Sequence, residues 1–261
     1  MNLGLDGKSA IVTGGSKGIG AAVARGLASE GCAVHLVARN EELLAKTAAD
    51  ISEATKVTVT YSALDLSDSR SIRTLTEATV LPDILINNAG AIPAGDLLSI
   101  DEARWREAWD LKVFGYINLC RAYYALMKDR GHGVIINVTG LAADRFDAGY
   151  VAGTTGNAGL NAFSKAVGGR SLNDGLRVLA VSPGAVSTDR IETLMRTRAE
   201  KEFGDPDRWQ SYLGNLPGGR AATAEEVANV VTFMASDRAS FVSGSVVNVD
   251  GGHGGNMGSF S

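Results

Sequence analysis

A doubly wound α/β fold, with a parallel sheet covered by helices on both faces, is the class this sequence predicts. Three observations predict it. Apolar, β-rich runs alternate with helical patterns from one end of the chain to the other. The first apolar run ends in the glycine loop Thr13-Gly-Gly-Ser-Lys-Gly-Ile-Gly20, and a helical run follows at once. The composition, 32 Gly against 5 Pro, favours many tight strand–helix turns over disorder. With 261 residues, 45% of them hydrophobic, and no Pro/Gly/Ser-rich linker or internal repeat, a single domain over residues 1–261 is expected.

The elements follow in order. Ser9–Thr13 reads as the first strand and Gly18–Ser29 as the first helix. Ala33–Val37 is a strand and Glu41–Glu53 a helix; Val57–Ser62 is a strand, followed by a helix near Ser69–Thr79. Ile84–Asn87 is a strand, and Asp101–Arg130 a long helix opened by Asp101 as its cap. Gly133–Val138 is a strand, and Tyr150–Asn173 a helix. Arg177–Ser182 is a strand stopped by Pro183-Gly184; Ala224–Ala235 is a helix capped by Thr223; Ser245–Val249 is the last strand. Ser187–Arg220 breaks the alternation with a long charged insertion carrying Trp209. It falls where open α/β sheets bind ligands, at the carboxyl ends of the strands, and is read as a lid. The alternative is a surface insertion.

The totals exclude several classes of function. A net charge of −4 without a basic block argues against nucleic acid or an anionic membrane as partner. Cys32 and Cys120 lie far apart in apolar stretches and read as buried thiols, neither a disulfide nor a metal pair. No secretion signal is visible, and no run approaches about 18 apolar residues, so a cytoplasmic protein with no metal site is expected.

Strand, glycine loop and helix together form a dinucleotide pyrophosphate site. Gly14 lets the chain turn off the strand, Gly18 lets backbone approach the phosphates, and Gly20 lets helix and strand pack closely. Ser16, Lys17 and Ile19 complete the loop, and the helix start presents free N–H groups to the anion. The second strand ends Val37-Ala38-Arg39, with no acid to hold a ribose 2′-hydroxyl. Arg39 and Lys17 are two cations placed for a 2′-phosphate, which favours NADP(H) over NAD(H). The alternative is that Arg39 is a solvated surface side chain.

Thr13–Gly20, Asp65-Leu66, Asn87-Asn-Ala-Gly90, Ser182-Pro-Gly-Ala-Val-Ser-Thr188 and Gly244–Gly252 resemble the motifs of the short-chain dehydrogenase/reductase family over essentially the whole chain. The resemblance implies a Rossmann-like domain, a nicotinamide cofactor, a small-molecule substrate and a homotetramer or dimer. It further implies that Asp65 and Leu66 contact adenine. Asn88, Ala89 and Gly90 would line the ribose and nicotinamide side, and Pro183, Gly184, Val186 and Thr188 would hold the nicotinamide end.

The family's chemistry rests on an Asn, a Ser, and a Tyr and Lys spaced as YxxxK. Followed in register, these places fall here on Lys112, Gly140, Gly153 and Asn157. Tyr150 is the nearest tyrosine, three residues before Gly153; if helical, it sits about 4.5 Å along the axis and about 60° round. Its own helix supplies no cation, since Thr154 stands four residues on. Lys112 and Asn157 read as the family's Asn–Lys pair with its ends exchanged, an amine near the cofactor suited to acid–base work. The alternative for Lys112 is a pair with Asp110 or Asp147. Asp144, Arg145, Phe146 and Asp147 lie in the loop over the site, and the two glycines enlarge the pocket. Candidate catalytic residues are therefore Lys112, Tyr150 and Asn157. The functional reading is an NADP(H)-dependent oxidoreductase with a proton donor unusual for the family, acting on a carbonyl, alcohol or activated alkene. The alternatives are a binding protein that retains the cofactor loop without catalysis, and an isomerase or dehydratase.

Overall fold

Side-chain alternation along the central strands divides the core into two layers. In a computed structural model that describes residues 1–255, Ile11, Leu85, Ile135 and Val178 pack on one face of the sheet. Their neighbours Val12, Ile86, Ile136 and Leu179 pack on the other. Both faces are buried, which suits the near-continuous apolar runs at Ile84–Asn87 and Leu176–Pro183. Residues 256–261 of the domain expected over 1–261 lie outside the described residues.

The sheet comprises β1 (Ser9–Thr13), β2 (Ala33–Ala38), β3 (Val59–Ala63), β4 (Ile84–Asn87), β5 (Gly133–Val138), β6 (Leu176–Pro183) and β7 (Val246–Val249). All pairings are parallel, in the order β3-β2-β1-β4-β5-β6-β7. The order reverses between β1 and β4, and a crevice opens there beyond the carboxyl ends of the strands. The helices are α1 (Gly18–Ser29), α2 (Glu41–Thr55), α3 (Ser69–Ala78), α4 (Glu102–Trp109), α5 (Gly115–Arg130), α6 (Val151–Ser171), α7 (Asp189–Phe203) and α8 (Ala224–Ala235).

Most expected boundaries hold within two residues, and the departures have local causes. β3 begins at Val59, not Val57, because α2 runs on to Thr55 and ends on Lys56 in the left-handed conformation (φ 63°). Ser52 then ties down the connection, its hydroxyl donating to the Val57 carbonyl at 2.9 Å and accepting from Val59 N–H at 3.2 Å. The long helix expected over Asp101–Arg130 is divided. Asp101 caps α4 by accepting from Arg104 N–H at 2.8 Å, but Asp110–Phe114 between α4 and α5 is a π-helical turn. Such a turn carries one extra residue per winding and rotates the side chains on it, commonly at functional sites. The helix expected from Tyr150 starts at Val151. Tyr150 has φ −142° and ψ 40° and stands outside the first turn.

Ser187–Arg220 folds as α7 followed by a 3₁₀ stretch at Pro206–Asn215. The two are tied by Phe203 stacked on Tyr212 (5.9 Å) and by a Tyr212–Glu202 hydrogen bond of 2.7 Å. Ile191, Leu194 and Met195 of α7 face the crevice. The chain then enters α8 through a complete capping box, Thr223 with Glu226. Cys32 and Cys120 are buried free thiols. Among the described residues no helix is long and apolar enough to cross a membrane, and no cluster of His, Cys, Asp and Glu has the makings of a metal site.

Candidate active site

The crevice is an open cavity of about 1740 Å³, running from the glycine loop to the loop after β5 and roofed by α7. The glycine loop forms one end. Gly14 (φ 66°) and Gly18 (φ 57°) occupy the left-handed region, where a side chain is strained. A Cβ on Gly14 would stand 2.8 Å from the Asn88 amide and 3.0 Å from Ala89 Cα, and one on Gly20 would strike the Gly14 carbonyl. Thr13 fastens this loop to the chain after β4: its hydroxyl accepts from Asn88 N–H (2.9 Å) and Ala89 N–H (3.0 Å), and its carbonyl accepts from the Asn88 amide at 3.0 Å. Lys17 precedes α1 without a side-chain cap, so the first N–H groups of the helix are unclaimed by side chains and face the cavity.

Gly14, Ser16, Lys17, Gly18, Ile19, Arg39 and Leu66 line this half, and Asn88, Ala89, Gly90, Pro183, Gly184, Val186 and Thr188 the other. Gly20 packs beneath the loop. Asp65 stands off the wall, its carboxylate accepting from the backbone and hydroxyl of its neighbour Ser67 at 3.0 and 2.8 Å. Arg39 is exposed on the rim. Lys17 Nζ lies 3.5 Å from Asp189 across the mouth, an exposed pair that holds little energy.

At the other end of the cavity, a buried network joins the strands to α6. The Asn87 amide donates to Asn137 at 2.9 Å, and the Asn137 amide donates to Ser164 at 2.9 Å. Above it, the π turn aims Lys112 inward, its stem packed against Gly90, where a Cβ would meet Lys112 Cδ at 2.5 Å. Lys112 is 8% exposed, and its amine donates to the Val138 carbonyl at 2.7 Å and to the Tyr116 hydroxyl at 3.0 Å. Burial, with Arg190 nearby, lowers its pKa from 10.5 to about 7. It pairs with neither Asp110 nor Asp147 and does not bond to Asn157. Asn157 instead donates to the Gly153 carbonyl at 2.9 Å and keeps a buried carbonyl oxygen without a partner.

Tyr150 departs from the helical placement expected for it. From the residue before α6 its ring lies over Gly153, where a Cβ would overlap it. The phenol therefore fills the room left by glycine. Its hydroxyl is 3.1 Å from Nη2 of Arg190, which also donates to the carbonyls of Gly90 (2.7 Å) and Ile92 (3.0 Å). Burial raises the Tyr150 pKa above the usual tyrosine value, and Arg190 offsets part of that rise. Gly140 is extended (φ 169°), with space for a Cβ 3.4 Å from the Asn157 amide. Arg145, Phe146 and Asp147 line the cavity, and Asp144 faces a separate hollow by α6 and β7. Two residues at this end escaped the sequence reading. Tyr116 stands one helical turn after Lys112, and Arg190 lies two residues after Thr188; only the first has a spacing signal.

A family model described as Enoyl-(Acyl carrier protein) reductase matches residues 14–254. The chain is 30% identical over 256 residues to the 3-oxoacyl-(acyl-carrier-protein) reductase FabG of Chlamydia muridarum, covering 97% of this chain and 99% of that protein. The fold is similar to L-sorbose reductase from Gluconobacter frateurii complexed with NADPH and L-sorbose (TM-score 0.88, 31% identity, 96% of this chain and 98% of that one). It is equally similar to an NAD+-bound xylitol dehydrogenase (TM-score 0.90, 25% identity, 95% and 99% covered).

Proposed function

Because this chain belongs to the short-chain dehydrogenase/reductase family of oxidoreductases, we propose that it is a single-domain, NADP(H)-dependent reductase in which Tyr150 gives the proton to a carbonyl or activated alkene. The observation that carries this reading is the seat of the Tyr150 ring over Gly153, at the opposite end of one cavity from a glycine loop shaped for a pyrophosphate. When bound, the nicotinamide supplies the hydride, and the chain's task is placement and proton supply.

The residues fit such a cofactor. The left-handed glycines leave a cradle without side chains, and the α1 N-terminus offers free N–H groups to phosphate. Lys17 and Arg39 support NADP(H), because a 2′-phosphate meets two cations and no carboxylate at the end of β2. The raised pKa of Tyr150 keeps its phenol protonated at neutral pH, as a donor in the reductive direction requires. Lys112, titrating near neutrality beneath Gly90, is a second group able to exchange a proton there. The pocket freed at Gly140 suits a substrate broader than a family serine would admit.

The test is a fluorescence titration with NADPH and NADH side by side. It is followed by NADPH oxidation with a panel of carbonyls, enones and quinones for the parent and for Tyr150→Phe. Micromolar NADPH binding, weaker NADH binding, and a loss of roughly 10²- to 10⁴-fold in turnover for Tyr150→Phe are expected. Tight NADPH binding with no oxidation across the panel would instead favour a cofactor-binding protein without catalysis. That second reading is supported by glycine at 140 and 153 and asparagine at 157.

A further inference from the structure

We propose that Arg190 is the positioning residue of the Tyr150 phenol: from the first turn of α7, it supplies the cation that the tyrosine's own helix lacks. The proposal rests on the reading of Tyr150 as proton donor.

The geometry excludes the other candidates for a partner to the phenol. One helical turn past Tyr150 stands Thr154, whose hydroxyl is buried without a partner. Asn157 is committed to the Gly153 carbonyl, and Lys112 to Val138 and Tyr116. Lys165, further along α6, is exposed. Arg190 alone among the described residues places a cationic nitrogen on the phenol, at 3.1 Å. Its fork is held from both sides, Nη1 on the Gly90 carbonyl and Nη2 on the Ile92 carbonyl. A planar guanidinium with several fixed donors can bridge three acceptors in this way, whereas an ammonium is a point charge on a loose stem.

Lys112, Asp96, Arg145, Asp147, Asp189, Arg198, Lys201 and Glu202 line the same cavity as Arg190 and Tyr150, and among the described residues only Arg190 makes a hydrogen bond to the phenol. Arg190 is the one that shifts its ionisation, and it does so downward against burial. The consequence is a link between lid and chemistry. Arg190 joins α7 to the chain after β4 and to Tyr150 at one point, so the phenol is oriented only while α7 lies over the cavity.

The experiment uses the cofactor-free full chain with tyrosine labelled at ¹³Cζ, the Tyr150 resonance being assigned from Tyr150→Phe. Removing the cation with Arg190→Met is expected to raise the Tyr150 titration midpoint by about one unit or more. Arg190→Lys is expected to bring it most of the way back. In turnover, Arg190→Met is expected to lower kcat roughly tenfold with the KM for NADPH unchanged, and to move any alkaline limb of the kcat profile upward. A midpoint that stays put in Arg190→Met overturns the pairing and leaves Arg190 as a latch between backbone carbonyls. A midpoint that rises while Tyr150→Phe keeps full turnover upholds the pairing and overturns the donor reading.

Discussion

Lys112→Met should make this protein more stable at neutral pH, and the gain should vanish in alkali. Lys112 is 8% exposed, with no carboxylate on its amine, and its pKa falls from 10.5 unfolded to about 7 folded. Between those two values the unfolded chain holds a proton that the folded chain does not, so stability rises with pH across that window. The full difference is roughly 5 kcal/mol against the folded state at and below pH 7. Methionine keeps the stem that packs on Gly90 and removes the charge. It forfeits the bonds to Val138 and Tyr116, about 1 kcal/mol each, and orphans neither, because Tyr116 already donates to the Val138 carbonyl at 3.1 Å. The net gain at pH 7 is then roughly 3 kcal/mol, or about 6–12 °C in Tm for a chain of this size. At pH 10 the gain should reverse to a deficit of about 1 kcal/mol, approaching about 2 kcal/mol, the two lost bonds, only above the unfolded pKa of 10.5. Urea unfolding of both proteins at pH 6, 7, 9 and 10 measures it. A Met variant less stable than the parent at pH 7, or a gap that does not change with pH, would refute the account of Lys112 as a desolvated amine.

Four further substitutions test the rest of the cavity. Gly153→Ala puts a methyl group into the Tyr150 ring, so the phenol must leave Arg190; NADPH oxidation should fall by roughly 10²-fold with circular dichroism unchanged, and full activity would show that the ring's seat is immaterial. Gly140→Ser meets no strain at φ 169° and places a hydroxyl near the unpartnered Asn157 oxygen, which should raise stability by about 1 kcal/mol in thermal unfolding; a drop in Tm would contradict it. Arg39→Ala and Lys17→Ala should each weaken NADPH binding roughly tenfold at low salt and leave NADH binding unaltered; an equal loss for both cofactors would remove the 2′-phosphate from the argument.

The sheet and the glycine loop at the crevice were legible because their signals are local. A strand needs a short apolar run, a phosphate loop needs glycines at fixed spacing, and α4 and α8 announce themselves by Asp101 and Thr223 at their caps. Where local signals failed, a distant or conformational term decided the outcome. The π turn at Asp110–Phe114 keeps the same helical pattern as its neighbours, so periodicity alone did not disclose the rotation that sends Lys112 inward. The route of that side chain depends on Gly90, which is remote in sequence and leaves room for its stem. Arg190 carries no sequence spacing to Tyr150 at all; only the return of the chain from β6 into α7 brings them together.

Tyr150 and Gly153 show most plainly why residue-by-residue reading of this site misleads. Taken alone, Gly153 is a missing tyrosine, and Tyr150 is a phenol set about 60° off on a helix. In the structure neither description holds, because Tyr150 precedes the helix and its non-helical backbone (φ −142°, ψ 40°) lets the ring fold back over residue 153. A side chain at 153 and the ring of Tyr150 exclude one another, so glycine there is the condition for the phenol's position. The same reasoning covers the cation. A phenol entering from before α6 does not inherit a lysine one turn along that helix, so its charge partner must come from another element, and α7 is the one that crosses the cavity with an arginine in its first turn. The glycine, the tyrosine and the arginine thus form one arrangement, and restoring a tyrosine at 153 while Tyr150 and Arg190 remain should disrupt the site rather than repair it.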